Sequence, residues 1–230
     1  MADVQLRGMH VMVGMPLYGA PTTKTVLSLL ETQNVCVKSG ITFDYTTATG
    51  FVTVSRDMIL KDFLKSKAEK LFWIDGDMVW TAEAFGRMLA LSTLHDIVCA
   101  AYPLKEALPY NRYPIMAEAE SAENQYGLVE IHATGLGFSV WSREACQALS
   151  DSKPVMHDGL IDEMRPAVFC VAPRKGKIRT EDVNAFEDLR ALGFKVWLDP
   201  TIELGHMGTK EWRGKAIESL EKVEAEKKEA

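Results

Sequence analysis

Apolar runs of strand length alternate with helical stripes over the first hundred residues. His10-Val11-Met12-Val13 opens the series, and Gly14-Met15-Pro16 predicts where that strand stops. Val26, Leu29 and Leu30 follow at helical spacing, with Thr22 or Thr23 placed to cap the helix. Gly40-Ile41-Thr42-Phe43-Asp44-Tyr45 is β-rich, and Ile59, Leu60, Phe63 and Leu64 form the stripe of a second helix. Leu71-Phe72-Trp73-Ile74 has no polar alternation, which predicts a strand covered on both faces. Thr81 caps a helix carrying Phe85, Met88 and Leu89, and Ile97-Val98-Cys99-Ala100-Ala101 is another buried strand. Strands and helices in this alternation predict an α/β fold, a mostly parallel central sheet flanked by helices.

The second half is less regular. Lys105 to Glu123 reads as loop, with Pro109 and Pro114 inside it. Gly127–His132 and Phe138–Trp141 read as strands around the turn Gly135-Leu136-Gly137, and Ser142 caps a short helix ending near Leu149. Ser150 to Pro166 is again irregular. Thr180-Glu181-Asp182 starts a helix that runs through Phe186, Leu189 and Leu192 and closes at Gly193. Two strands follow, Phe194–Leu198 and Ile202–His206. The tail, residues 209–230, carries Glu218/Lys222 and Glu224/Lys228 at helix-supporting spacing and is expected to be a solvated, charged helix.

The chain of 230 residues, 47% hydrophobic and 25% charged, suits one substantial domain. No apolar run is long enough to cross a bilayer. Met1-Ala2-Asp3-Val4-Gln5 lacks the basic start of a signal peptide, so a cytoplasmic protein is expected. Cys36, Cys99, Cys146 and Cys170 have no paired spacing, which argues against a zinc knuckle or a disulfide framework. The net charge of −6 argues against a broad nucleic-acid-coating face. Pro173-Arg174-Lys175-Gly176-Lys177-Ile178-Arg179 is the one dense basic cluster, and it reads as a solvated loop before a phosphate site.

Asp75-Gly76-Asp77 carries the chemistry. Two carboxylates at the end of a buried strand are costly without a positive partner, and a divalent cation is the natural one. Asp-Gly between apolar residues is also the signature of a tight hairpin, the competing reading. In open α/β sheets ligands bind beyond the carboxyl ends of the strands. Pro16-Leu17-Tyr18-Gly19, Asp44 and Asp75-Gly76-Asp77 are all expected at or near such ends.

These segments stand in one order with Ser55-Arg56-Asp57, Thr134-Gly135-Leu136-Gly137-Phe138-Ser139-Val140, Glu181-Asp182 with Phe186, and Leu204-Gly205-His206. The set resembles a GT-A-type glycosyltransferase over most of residues 9 to 208. The resemblance implies a GT-A-like, Rossmann-type sheet with a small mixed acceptor-side sheet. It implies one catalytic domain over residues 1–208, with residues 1–101 as nucleotide-binding half and 102–208 as acceptor-facing half. It implies a nucleotide-sugar donor, a UDP-sugar first, and a divalent metal, manganese before magnesium. Asp75, Asp77 and His206 would hold the metal. Pro16, Tyr18, Gly19, Asp44, Arg56, Asp75, Gly135 and Gly137 would meet the donor, Asp44 at its nucleobase or ribose. Many relatives carry Asn where this chain has Asp57. Asp182, or alternatively Glu181, would be the general base of an inverting transfer. Acceptors left open are a glycan, a protein, a small molecule or a modified DNA base. A sugar nucleotidyltransferase or a non-catalytic nucleotide-sugar-binding module are the alternatives. The nucleotidyltransferase ranks lower because Met15-Pro16-Leu17-Tyr18-Gly19-Ala20 is not a Gly-rich basic loop.

Overall fold

The computed structural model describes residues 6–106, 110–117, 123–159, 162–174 and 176–218. Strand β1 (His10–Leu17) leads to helix α1 (Thr23–Lys38), then β2 (Thr42–Thr49) and α2 (Val52–Lys65). Next come β3 (Lys70–Ile74), β4 (Met78–Val79), α3 (Ala82–Leu91) and β5 (Ile97–Cys99). The second half holds β6 (Val129–Ile131), β7 (Phe138–Ser142), α4 (Arg143–Asp151), β8 (Val155–Asp158) and β9 (Glu163–Pro166). Then follow β10 (Ala172–Arg174), β11 (Lys177–Arg179), α5 (Glu181–Ala191), β12 (Val196–Leu198), β13 (Glu203–Met207) and β14 (Glu211–Lys215).

The central sheet has the order β2-β1-β3-β7-β5-β12-β6. β2, β1, β3, β5 and β12 run one way, and β7 and β6 oppose them. This is the mostly parallel α/β sheet that the sequence predicts. Its strand β3 explains the unbroken apolar run. Leu71 and Trp73 join a core with Ile59, Leu60 and Phe63 of α2, Cys146 and Leu149 of α4, and Phe186 and Leu189 of α5. Phe72 and Ile74 join the opposite core with Phe85, Met88 and Leu89 of α3 and Cys36 of α1. Successive side chains point to opposite faces, so both faces require apolar residues.

Several local expectations are corrected. β1 does not stop at Gly14 but runs to Leu17 along β2, while its pairing with β3 ends at Gly14. Pro16 therefore sits where the strand has a neighbour on one side only, a place that tolerates proline. Val26 and Leu30 of α1 are exposed, and Thr25, Ser28, Thr32 and Cys36 face inward. Those hydroxyls are used. Thr32 accepts from the Trp80 indole at 2.9 Å, Ser28 from the Trp80 amide at 3.2 Å, and Thr25 donates to the Gly76 carbonyl at 3.1 Å. β6 and β7 do not pair around Gly135-Leu136-Gly137, because β5 and β12 lie between them.

The segment read as irregular after Ser150 contains the hairpin β8–β9. The basic cluster is likewise a hairpin, β10–β11, in which Gly176 turns at φ 73°. Arg174 there is ion-paired with Glu187 and Asp188 of α5. The tail is not helical at its start, since β14 returns beside β13 with Trp212 opposite His206. Lys222, Glu224 and Lys228, which prompted the helical reading, lie outside the described residues. The small sheet expected to be mixed is the antiparallel β14-β13-β4. No helix of the described residues is long and apolar enough to cross a membrane.

Candidate functional site

A cleft of about 460 Å³ opens at the carboxyl ends of β1 and β3. Its lining includes Pro16 near the end of β1, Tyr18 and Gly19 just after it, Ser55 and Arg56 from α2, and the Asp75-Gly76-Asp77 turn. Tyr102, Glu181, Asp182 and His206 complete it from distant parts of the chain.

The aspartate turn is not a hairpin tip. β3 continues into the central sheet, whereas β4 pairs with β13, so the turn is the corner between two sheets. It is anchored on every side. The Asp75 amide donates to Gly137 O at 3.1 Å, and Gly76 O accepts from the Thr22 amide at 2.9 Å. The Met78 amide closes the turn on Asp75 O at 3.1 Å, and Met207 N donates to Asp77 O at 2.8 Å. A turn held by this many backbone bonds fixes where its carboxylates point.

Arg56 is 3% exposed, with Nη2 3.1 Å from Asp75 Oδ1 and Nε 3.6 Å from Glu181 Oε1. Burial works against its charge, and Asp75 and Glu181 outweigh that. Burial pushes the Asp75 carboxyl up, with Arg56 opposing and Asp77 adding to the shift. Burial also raises Glu181, helped by the neighbouring Asp182. Asp182 Oδ1 accepts from its own helix, from Thr180 Oγ1 and, at 2.9 Å, from the Val183 amide. The buried atoms Ser55 Oγ, Arg56 Nε and Arg56 Nη1 have no hydrogen-bond partner within the protein, as expected of a wall that waits for a polar ligand.

On the other side of the turn Asp77 is ion-paired with Lys105, and its Oδ2 lies 3.5 Å from His206 Nε2. Burial alone would raise Asp77, but His206 and Lys105 outweigh it and hold the carboxyl below the usual range. His206 Nδ1 is 2.9 Å from Pro103 O. With Nδ1 facing that carbonyl, Nε2 is the ring nitrogen that faces Asp77. An imidazole nitrogen and a carboxylate oxygen face to face suit a borderline divalent cation. A cation that also binds phosphates needs only one or two protein carboxylates. Asp77 and His206 fit that demand. Asp75, expected as a third ligand, has Oδ1 3.1 Å from Arg56 Nη2, and among the described residues no three acids, histidines or cysteines are grouped so that they could hold a metal ion.

Other expected residues are placed differently. Asp44 lies five residues before the carboxyl end of β2, about 16 Å back along the strand, and its carboxylate meets His10 Nε2 at 2.6 Å. It is not among the residues lining the cleft. Gly135 and Gly137 make room for the protein itself. A Cβ on Gly135 would lie 2.1 Å from the Tyr102 hydroxyl, and one on Gly137 2.8 Å from Asp75 Oδ2. Asp57 turns away from the cleft and accepts from the Val168 and Phe169 amides at 3.2 and 3.0 Å. Tyr102 and Lys105 were missed. Their signal was position, immediately after the apolar run that ends at Ala101.

No protein-family model and no curated protein matches the sequence. Solved structures do. The crystal structure of A197 from STIV is similar with a TM-score of 0.55 and 21% identity, over 87% of this chain and 86% of that one. A glycosyltransferase involved in glycosylation of the major capsid of PBCV-1 gives a TM-score of 0.33 and 12% identity, over 60% of this chain and 62% of that one. The inositol-1-phosphate CTP transferase from T. maritima gives 0.44 and 10%, over 84% and 86%. At 21% identity the likeness to A197 concerns the fold alone.

Proposed function

We propose that this protein is a glycosyltransferase that moves a sugar from a nucleotide-sugar donor to an acceptor hydroxyl. One observation carries the reading. Two acidic pairs from opposite halves of the chain, Asp75/Asp77 and Glu181/Asp182, line one cleft with a buried arginine between Asp75 and Glu181. Asp77 and His206 would hold a divalent cation, manganese by the donor chemistry, which would supply Lewis-acid stabilisation of the departing diphosphate. Tyr18, Gly19, Ser55 and Arg56 form the wall against which the donor binds. Asp182 is the base that takes the acceptor proton, since Glu181 is engaged with Arg56. A base opposite the leaving group corresponds to inversion at the anomeric carbon. UDP-sugars are the first donors to test, and the acceptor class follows from the donor assay.

A panel of nucleotide sugars is incubated with protein and manganese, and hydrolysis is read by mass spectrometry. Release of sugar and nucleoside diphosphate by the wild type, lost in a folded Asp77→Ala variant, is the expected result. Donor turnover that survives Asp77→Ala would remove this site assignment. Nucleoside triphosphate formed only with added pyrophosphate would make the protein a nucleotidyltransferase. Diphosphate binding without any turnover would make it a binding module.

A further inference from the structure

Asp77 Oδ2 has a lysine and a histidine as neighbours, and both come from one short segment or are held by it. Lys105 ion-pairs with it, and His206, 3.5 Å away, is oriented by the carbonyl of Pro103. Residues 102–106 are strapped down at three points. Pro103 O faces His206 at 2.9 Å, Leu104 N donates to Arg112 O at 2.7 Å, and the Trp212 indole donates to Glu106 O at 2.9 Å. The Tyr102 ring stands 4.9 Å from the His206 ring. Lys105 and Asp77 are each about one-third exposed, so water screens their pair and it is weakly held.

We propose that Lys105 is a tethered cation at the phosphate end of the cleft, a positioning residue that neutralises Asp77 and is displaced when a divalent cation takes the Asp77–His206 pair. The inference rests on the cation reading given above. An ammonium and a divalent cation cannot share one carboxylate oxygen without strong mutual repulsion. Entry of the cation therefore frees Lys105, and the freed ammonium stays within reach of the anionic donor phosphates that arrive at the same turn. Lys105 adjoins Glu106, whose carbonyl accepts from the Trp212 indole, so Trp212 emission is expected to report the release.

The test uses manganese alone, without donor. Binding to the full chain is measured by calorimetry and by loss of the free-ion paramagnetic resonance signal, for wild type, Lys105→Met and Lys105→Arg. Competition by a screened ion pair predicts that Lys105→Met binds manganese about two- to fivefold more tightly, and that Lys105→Arg restores the wild-type value. Trp212 emission, isolated by subtracting a Trp212→Phe variant, should change when manganese is added to wild type. In Lys105→Met that change should already be present before addition. Equal or weaker manganese binding by folded Lys105→Met overturns the proposal while leaving the cation reading intact. Absence of manganese binding in both proteins overturns the cation reading and this proposal together.

Discussion

Gly137 shapes the floor of the cleft although it is not itself part of the lining. Gly137 lies where a methyl group would sit 2.7 Å from Tyr102 Cε1 and 2.8 Å from Asp75 Oδ2, so its hydrogen is what lets both side chains into the floor. Gly137→Ala should cost about 1–3 kcal/mol as overpacking, visible as a lower urea midpoint. Under the proposed function the same variant should weaken UDP binding in the presence of manganese by about tenfold or more, because Asp75 and the Arg56 it holds would shift by a fraction of an ångström. Unchanged affinity in calorimetry would mean that Asp75 does not depend on this close approach. Asp57 illustrates the opposite situation, a carboxylate beside the cleft that is spent on structure. It pins the backbone at Val168 and Phe169, next to Trp73, whose ring lies 5.4 Å from that of Phe169.

At the scale of elements, α2 is the beam that carries Arg56, and its far end is closed by a residue of another helix. Arg143, first in α4, donates to Phe63 O at 2.9 Å, Leu64 O at 3.2 Å, Ser66 O at 3.0 Å and Ala68 O at 2.8 Å. Its guanidinium also stands 4.5 Å from the Phe63 ring. Phe63 and Leu64 belong to the last turn of α2 and Ser66 and Ala68 follow it; Phe63 O also accepts from the Ser66 amide and hydroxyl, and a cation there suits the helix dipole. Arg143→Met should therefore destabilise the fold by about 3 kcal/mol in urea titrations, since several carbonyls lose a charged donor at once. A loss below about 0.5 kcal/mol, the level of an ordinary surface change, would mean that water satisfies these carbonyls unaided. Helix α1 does a comparable job with hydroxyls, turning Thr25, Ser28 and Thr32 towards the aspartate turn and Trp80.

Across the whole molecule the Asp75–Arg56–Glu181 bridge ties the β3 turn to α5, and it sets a pH dependence. Both carboxyls are raised by burial, so their charged forms cost stability as pH climbs through the folded-state values, and Arg56 offsets that cost. Arg56→Met removes the offset and raises both further. The variant should be about 3 kcal/mol less stable than wild type at pH 8. The gap should narrow as pH falls towards the carboxyl range, where both acids take up protons and need no counter-charge. Thermal unfolding from pH 5 to pH 8 measures this directly. A gap that stays constant or widens at low pH would mean that the acids are not held by Arg56.

Much of the fold was determined by sequence alone, because burial leaves a periodic trace. The apolar run Leu71–Ile74 marks a strand covered on two faces, and the stripe Ile59, Leu60 and Phe63 marks the inward side of α2. The acidic pairs were legible for a similar reason, since carboxylates at strand and helix ends are chemically conspicuous. The tertiary structure decided what no local pattern encodes. Asp44 lies in a β-rich segment and Asp75 follows one, yet only Asp75 reaches the cleft, because distance along a strand depends on where that strand ends in the sheet. The inward face of α1 was misread because its hydroxyls are buried by satisfied hydrogen bonds, which hydropathy does not register. Lys105 and Tyr102 became visible only once the chain brought residues 102–106 against His206. Contacts between residues a hundred positions apart leave no spacing in a single sequence, and the meeting of Asp77, Lys105 and His206 is of that kind.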